Sequence, residues 1–169
     1  MKRTAGPKDP RQLVVALGIG VSVFAVACGG GAAAPPPDTV APVSPSAVVF
    51  QTDRLGIGEL TRSVILDENE WTEVWSKATT SEPSAQLSRP IDFATEMVLV
   101  AATGRMDTGA QIRFESAGLR NNEFVVTVVT VSDCAGFTSD VYPVAILRVE
   151  RSEQPVRWVE KVERAPRCG

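Results

Sequence analysis

The chain has 169 residues, 44% of them hydrophobic and 22% charged, with 17 Lys and Arg against 20 Asp and Glu and a formal net charge of −3. This balance suits one globular domain with appendages and excludes a disordered or fibrous chain. Histidine is absent, which removes the commonest general base, the usual serine and cysteine triads and most zinc sites.

Lys2, Arg3, Lys8 and Arg11 precede the uncharged run Leu13 to Ala27. A basic flank followed by an apolar run shorter than the roughly 20 residues that span a bilayer has the layout of an export signal. The run ends Ala25-Val26-Ala27-Cys28 and resembles the lipobox of bacterial lipoproteins. That resemblance implies cleavage after residue 27 and acylation of the Cys28 thiol, and Gly29 resembles cargo sorted to an outer membrane where the host has one. The working protein is then expected on the extracytoplasmic face of the cell envelope. Without residues 1–27 the chain carries 13 basic and 19 acidic side chains. An acidic domain repels phosphate backbones and anionic headgroups, which argues against nucleic acid as a partner. Residues 28–47, rich in Gly, Ala and Pro, read as a tether combining slack with extended reach.

The folded domain is expected over residues 48–169. Short strands are expected at Val48–Gln51 and Thr61–Leu66. A helix is expected from Asp67 to Ala78, with Asp67 and Glu70 at capping-box spacing and Trp71, Val74, Trp75 and Ala78 on one face. Met97–Thr103 is a continuous apolar run suited to a strand buried on both faces. Gln111–Glu115 and Glu123–Val131 alternate around Asn121-Asn122, a pair that tolerates the positive φ of a hairpin turn. Val144–Val149 and Val156–Val162 complete the set. The expected fold is therefore mainly β, in the all-β to α+β range: an antiparallel sandwich-like or half-barrel domain with one amphipathic helix.

Chemistry is sparse. Gly56-Ile57-Gly58 lacks the third glycine and helix of a nucleotide-binding turn. Asp133 and Asp140 bracket a short segment with too few oxygen ligands for calcium. An enzymatic reading needs a carboxylate-based site such as Asp92 with Glu96, or Asp133 with Asp140. Lys77 and Lys161 read as solvated surface lysines. No catalytic residue, metal site or cofactor is assigned. The segment Gly104-Arg105-Met106-Asp107-Thr108-Gly109 joins two expected strands, and its two glycines permit unusual backbone geometry. Gly104, Arg105, Asp107, Thr108 and Gly109 are the candidate binding residues. With Cys28 acylated, Cys134 and Cys168 remain to form a disulfide in an oxidising compartment.

Trp71 and Trp75 on a helix, then Pro90, Asp92 and Phe93, Met97-Val98, Gly104 and Thr108-Gly109, and Tyr142-Pro143 leading into a strand, resemble the PrcB C-terminal domain family of protease-complex accessory subunits. Ala110 and Gln111 stand where that family continues Gly-Tyr. The resemblance implies a mainly β domain in an exported, often lipidated protein with a non-enzymatic role, binding a protein partner such as an exported protease. The Thr108-Gly109 turn is also similar to the loop that chagasin-type cysteine-protease inhibitors insert into their targets, which is the alternative expectation.

Overall fold

The computed structural model describes residues 38–54, 56–82, 84–85, 90–132 and 139–165. The expected export signal, Cys28, Cys134 and Cys168 lie outside the described residues, as does Asp133. The strands are β1 Ala41–Pro42, β2 Val48–Thr52, β3 Leu60–Ile65, β4 Glu96–Thr103, β5 Met106–Asp107, β6 Gln111–Arg120, β7 Glu123–Ser132, β8 Asp140–Val141, β9 Val144–Glu150 and β10 Val156–Arg164, with helix α1 at Glu68–Ala78. They form a mainly β sandwich. One sheet has the order β1-β6-β7-β10 and the other β2-β9-β4-β3, while β5 and β8 make a separate two-stranded ribbon.

Strand β4 shows why the sandwich has a third layer. Met97 to Ala102 are all fully buried, and their side chains alternate between two clusters. Met97, Leu99 and Ala101 pack with Phe124, Val126 and Val128 of the facing sheet. Val98, Val100 and Ala102 pack with Trp71 and Ala78 of α1 and with Phe50 and Ile146. A strand covered on both faces has no polar side to show, which accounts for its unbroken apolar sequence.

The helix begins where the Asp67 carboxylate accepts hydrogen bonds from Asn69 N at 2.9 Å and Glu70 N at 3.0 Å. These satisfy two of the donors that a helix start leaves unpaired. Trp71 is buried, and its ring lies 5.1 Å from that of Trp75, which meets Phe50 edge-on at 5.5 Å. Trp71 is a core residue, and half-buried Trp75 packs against the same cluster.

Asn121 and Asn122 adopt φ of 50° and 64° and close the β6–β7 hairpin, as their spacing predicts. Strand β6 runs five residues beyond its expected end because a register shift at Glu115 interrupts the alternation that marks it in the sequence. The sheet holding β10 is mixed. β10 runs parallel to β7, with Val156 opposite Phe124 and Arg164 opposite Ser132. Between these two strands the chain crosses into the other sheet as β9, so it returns in its original direction. The domain also starts earlier than the composition indicates. Thr39 N donates to Leu119 O, β1 pairs with β6, and Val43 and Ala47 pack on the inter-sheet core. Pro42 fits there because an edge strand tolerates a missing donor, and Pro45 opens the short 3-10 turn Pro45–Ala47, where a first-turn residue needs no N–H.

The outer face of the β6-β7-β10 sheet has Val125 and Val129 buried on the central strand. Arg113 pairs with Glu163, and Lys161 with Glu115, so both ion pairs link β6 to β10 across β7. The aliphatic stems of these long side chains cover the valines while their charged ends stay in water.

Candidate functional site

The loop after β4 is built from short-range constraints. Gly104 is buried with φ +69°, and a Cβ there would lie 3.1 Å from Leu60 N. Any side chain would face both backbone strain and the start of β3. Met106 and Asp107 then pair with Val141 and Asp140 as the β5–β8 ribbon. Arg105 Nε lies 2.8 Å from Asp140 Oδ1, an exposed ion pair that raises the guanidinium pKa above its ordinary value. The Thr108 hydroxyl donates to Ser139 O at 2.6 Å. Ala110 N donates back to Asp107 O, closing a turn with Gly109 at φ +90° in its third position. Only a residue at ease with positive φ suits that position. The five candidate residues therefore come together in one loop held to β8, and Met106, between them, turns toward an apolar groove.

That groove is the open end of the inter-sheet layer. Farther in, Met97, Leu99, Val126 and partly buried Trp158 fill the space between the sheets. At this end Thr103, Thr130 and Ser132 replace them, and the space they leave is a groove of about 430 Å³. Leu60, opposite Thr103 on β3, forms one rim and Val162 on β10 forms the other. Leu60 is 73% and Val162 77% exposed, the most solvent-accessible of the large apolar residues described. The two edge strands are joined here by Arg62 and Glu160. Arg62 Nε meets Oε1 at 2.8 Å and Nη2 meets Oε2 at 2.9 Å, while Nη1 donates to Thr61 O and Ala102 O, both at 2.7 Å. A two-pronged guanidinium–carboxylate contact is directional, so it fixes the spacing of β3 and β10. A second hollow, beside Gly56, Gly58 and the ends of Glu59 and Lys77, has no comparable apolar rim.

Asp92, Glu96 and Asp140 are each engaged in hydrogen bonds or ion pairs within the fold. Asp92 accepts from Ala94 N at 3.0 Å and from the Thr95 hydroxyl at 3.0 Å. Glu96 accepts from Asp92 N and lies 3.6 Å from Arg148. Arg151 donates to Phe93 O at 2.7 Å, tying the same turn to the end of β9. The Asp92-Phe93 motif is thus a capped turn that leads into β4. Asp92→Ala is expected to lower the unfolding free energy by about 1 kcal/mol, the usual worth of a capping side chain. Urea denaturation followed by circular dichroism measures it, and an unchanged midpoint would show that the turn holds without its cap. Asp140 is engaged by Arg105, and among the described residues no group of three or more acidic or cysteine side chains is placed to hold a metal ion.

Sequence reasoning placed the loop but missed Leu60, Met106 and Val162. Their shared signal is apolarity near a strand end beside a charged neighbour, which becomes a site only when β3 and β10 face each other. No family model, no curated protein and no solved structure matches the chain.

Proposed function

We propose that this is a lipid-anchored, non-enzymatic protein of the cell envelope that binds a protein partner, with an exported protease as the partner implied by the PrcB-like motifs. Anchoring rests on the export signal and on Cys28 in its lipobox-like setting. The observation that carries the binding role is the pair of exposed apolar rims, Leu60 and Val162, around an apolar groove beside a braced loop. Exposed apolar surface framed by polar residues is the usual mark of an interaction site. Rigidity of the loop favours recognition, because less conformational entropy is lost on binding. The absence of histidine and the structural engagement of Asp92, Glu96 and Asp140 support a role without turnover.

Crosslinked capture from the producing cell's envelope tests the reading. A specific protein retained by the native chain should be lost with Leu60→Asp and Met106→Asp. Leu60 is exposed, so Leu60→Asp is expected to change stability by less than about 0.5 kcal/mol. Equal capture by native and substituted chains would remove the groove from the binding surface. The same preparations assayed against papain-like proteases address the chagasin-like alternative, for which potent inhibition lost on substituting Thr108 is the required result.

A further inference from the structure

We infer that the free edge of β10 is the surface on which two copies of this chain pair, strand against strand, around a two-fold axis at Val162. The inference does not depend on the groove's having a protein partner. Among the described residues no strand lies beyond β10 in its sheet, and none pairs with the side of its backbone that faces away from β7. Which residues face that side follows from the contacts on the other. Ala165 N donates to Ser132 O at 3.0 Å, Phe124 N donates to Pro155 O at 2.9 Å, and the Ser132 hydroxyl donates to Glu163 O. Odd-numbered residues therefore address β7. Alternation along a strand then turns the N–H and C=O of Glu160, Val162 and Arg164 outward.

Unpaired strand edges are templates for another strand, and an isologous pair must be self-complementary. The segment Glu160-Lys161-Val162-Glu163-Arg164 has this property. Centred on Val162, an antiparallel pair sets Glu160 opposite Arg164 of the second copy, Lys161 opposite Glu163, and Val162 opposite itself. Outward-facing residues meet outward-facing residues, which gives about six new backbone hydrogen bonds. Neighbouring registers are disfavoured, because centring on Glu160, Lys161 or Glu163 sets a charged side chain against its own copy. Lys161, Glu163 and Glu160 keep their in-chain partners Glu115, Arg113 and Arg62, and each gains a second opposite charge across the axis. Val162, 77% exposed in the single chain, and Leu60, 73% exposed on the opposite rim of the same groove, supply apolar surface beside the axis.

Sedimentation equilibrium of the full chain in detergent should show a reversible monomer–dimer equilibrium. Arg164→Glu sets like charges together twice and should weaken the dimer about tenfold. Val162→Pro removes a donor that the β7 ladder does not use, so it should give a monomer that melts close to the native chain. Val162→Cys should crosslink to its own copy, since hydrogen-bonded antiparallel partners have Cα atoms about 5.5 Å apart, within disulfide reach. Lys161→Cys, which faces Glu163 in this register, should crosslink far less. If Val162→Pro fails to fold, Arg164→Glu and the two cysteine variants still decide. A monomer at every concentration, or equal crosslinking from positions 161 and 162, would overturn the inference.

Discussion

Trp71→Ala is expected to lower the unfolding free energy by about 3–5 kcal/mol, the range for removing a buried large aromatic side chain. Trp71 is 4% exposed and stands between α1 and the sheet, in one cluster with Phe50, Ile65, Val98, Val100 and Ile146. Two losses combine there: the transfer free energy of the indole and the packing of the cavity that remains. The effect also spreads, because an 11-residue helix is too short to persist in water without its tertiary contacts. Urea denaturation followed by far-ultraviolet circular dichroism measures the loss. Lys77→Ala serves as the control, since Lys77 is exposed and pairs with exposed Glu73 one turn away on the solvent side of the same helix. Its midpoint should stay near that of the native chain. A Trp71→Ala variant as stable as the Lys77 variant would mean that α1 does not cap the core in solution.

Reduction of the native protein is expected to cost about 2–4 kcal/mol of stability if the expected Cys134–Cys168 bond is present. Support comes from the direction of two strands. β7 and β10 run parallel with Ser132 opposite Arg164, so the chain leaves the sheet at adjacent points. Cys134 follows Ser132 by two residues and Cys168 follows Arg164 by four. Connections of two and four residues, spanning at most about 3.5 Å per residue, are long enough to let the two thiols meet. Closing the loop between them restricts the unfolded chain, and the stabilisation grows slowly with loop length. Intact mass with and without reduction reads the bond directly. Cys134→Ser, Cys168→Ser and the double variant should then share one denaturation midpoint below that of the native chain. Cys134 and Cys168 both freely alkylated in the native protein would remove the bond from the description.

Much of the architecture was legible in the sequence because it depends on neighbours along the chain. Asp67 with the Trp71, Val74, Trp75 and Ala78 stripe marked α1 to within a residue. The run Met97 to Thr103 marked the strand buried on both faces, and Asn121-Asn122 marked the hairpin. The two-residue strands β1, β5 and β8 were not legible, since two residues carry no periodicity. The end of the tether was misplaced by about ten residues for a related reason. Pro42 and Pro45 look like linker by composition, and only the pairing of Pro42 with β6 and the 3-10 turn that Pro45 opens show that they belong to the domain.

The candidate site divides along the same line. Gly104 and Gly109 stood out locally, and their positive φ values are local facts. That Arg105 and Thr108 brace the loop against Asp140 and Ser139 depends on contacts more than thirty residues away. The groove is more remote still. Leu60 and Val162 lie a hundred residues apart and meet only because β3 and β10 are the same-side edges of two stacked sheets.

By itself, the sequence determined the mainly β class, the amphipathic helix α1, the hairpin and the lack of any histidine-based chemistry, all properties of residue type and short-range spacing. The tertiary structure decided the parallel return of β10, the use of the carboxylates as caps and ion pairs, and the exposure of two apolar rims. Those outcomes depend on which distant strands share an edge, and a side chain's surroundings are set by packing, not by its neighbours in the chain.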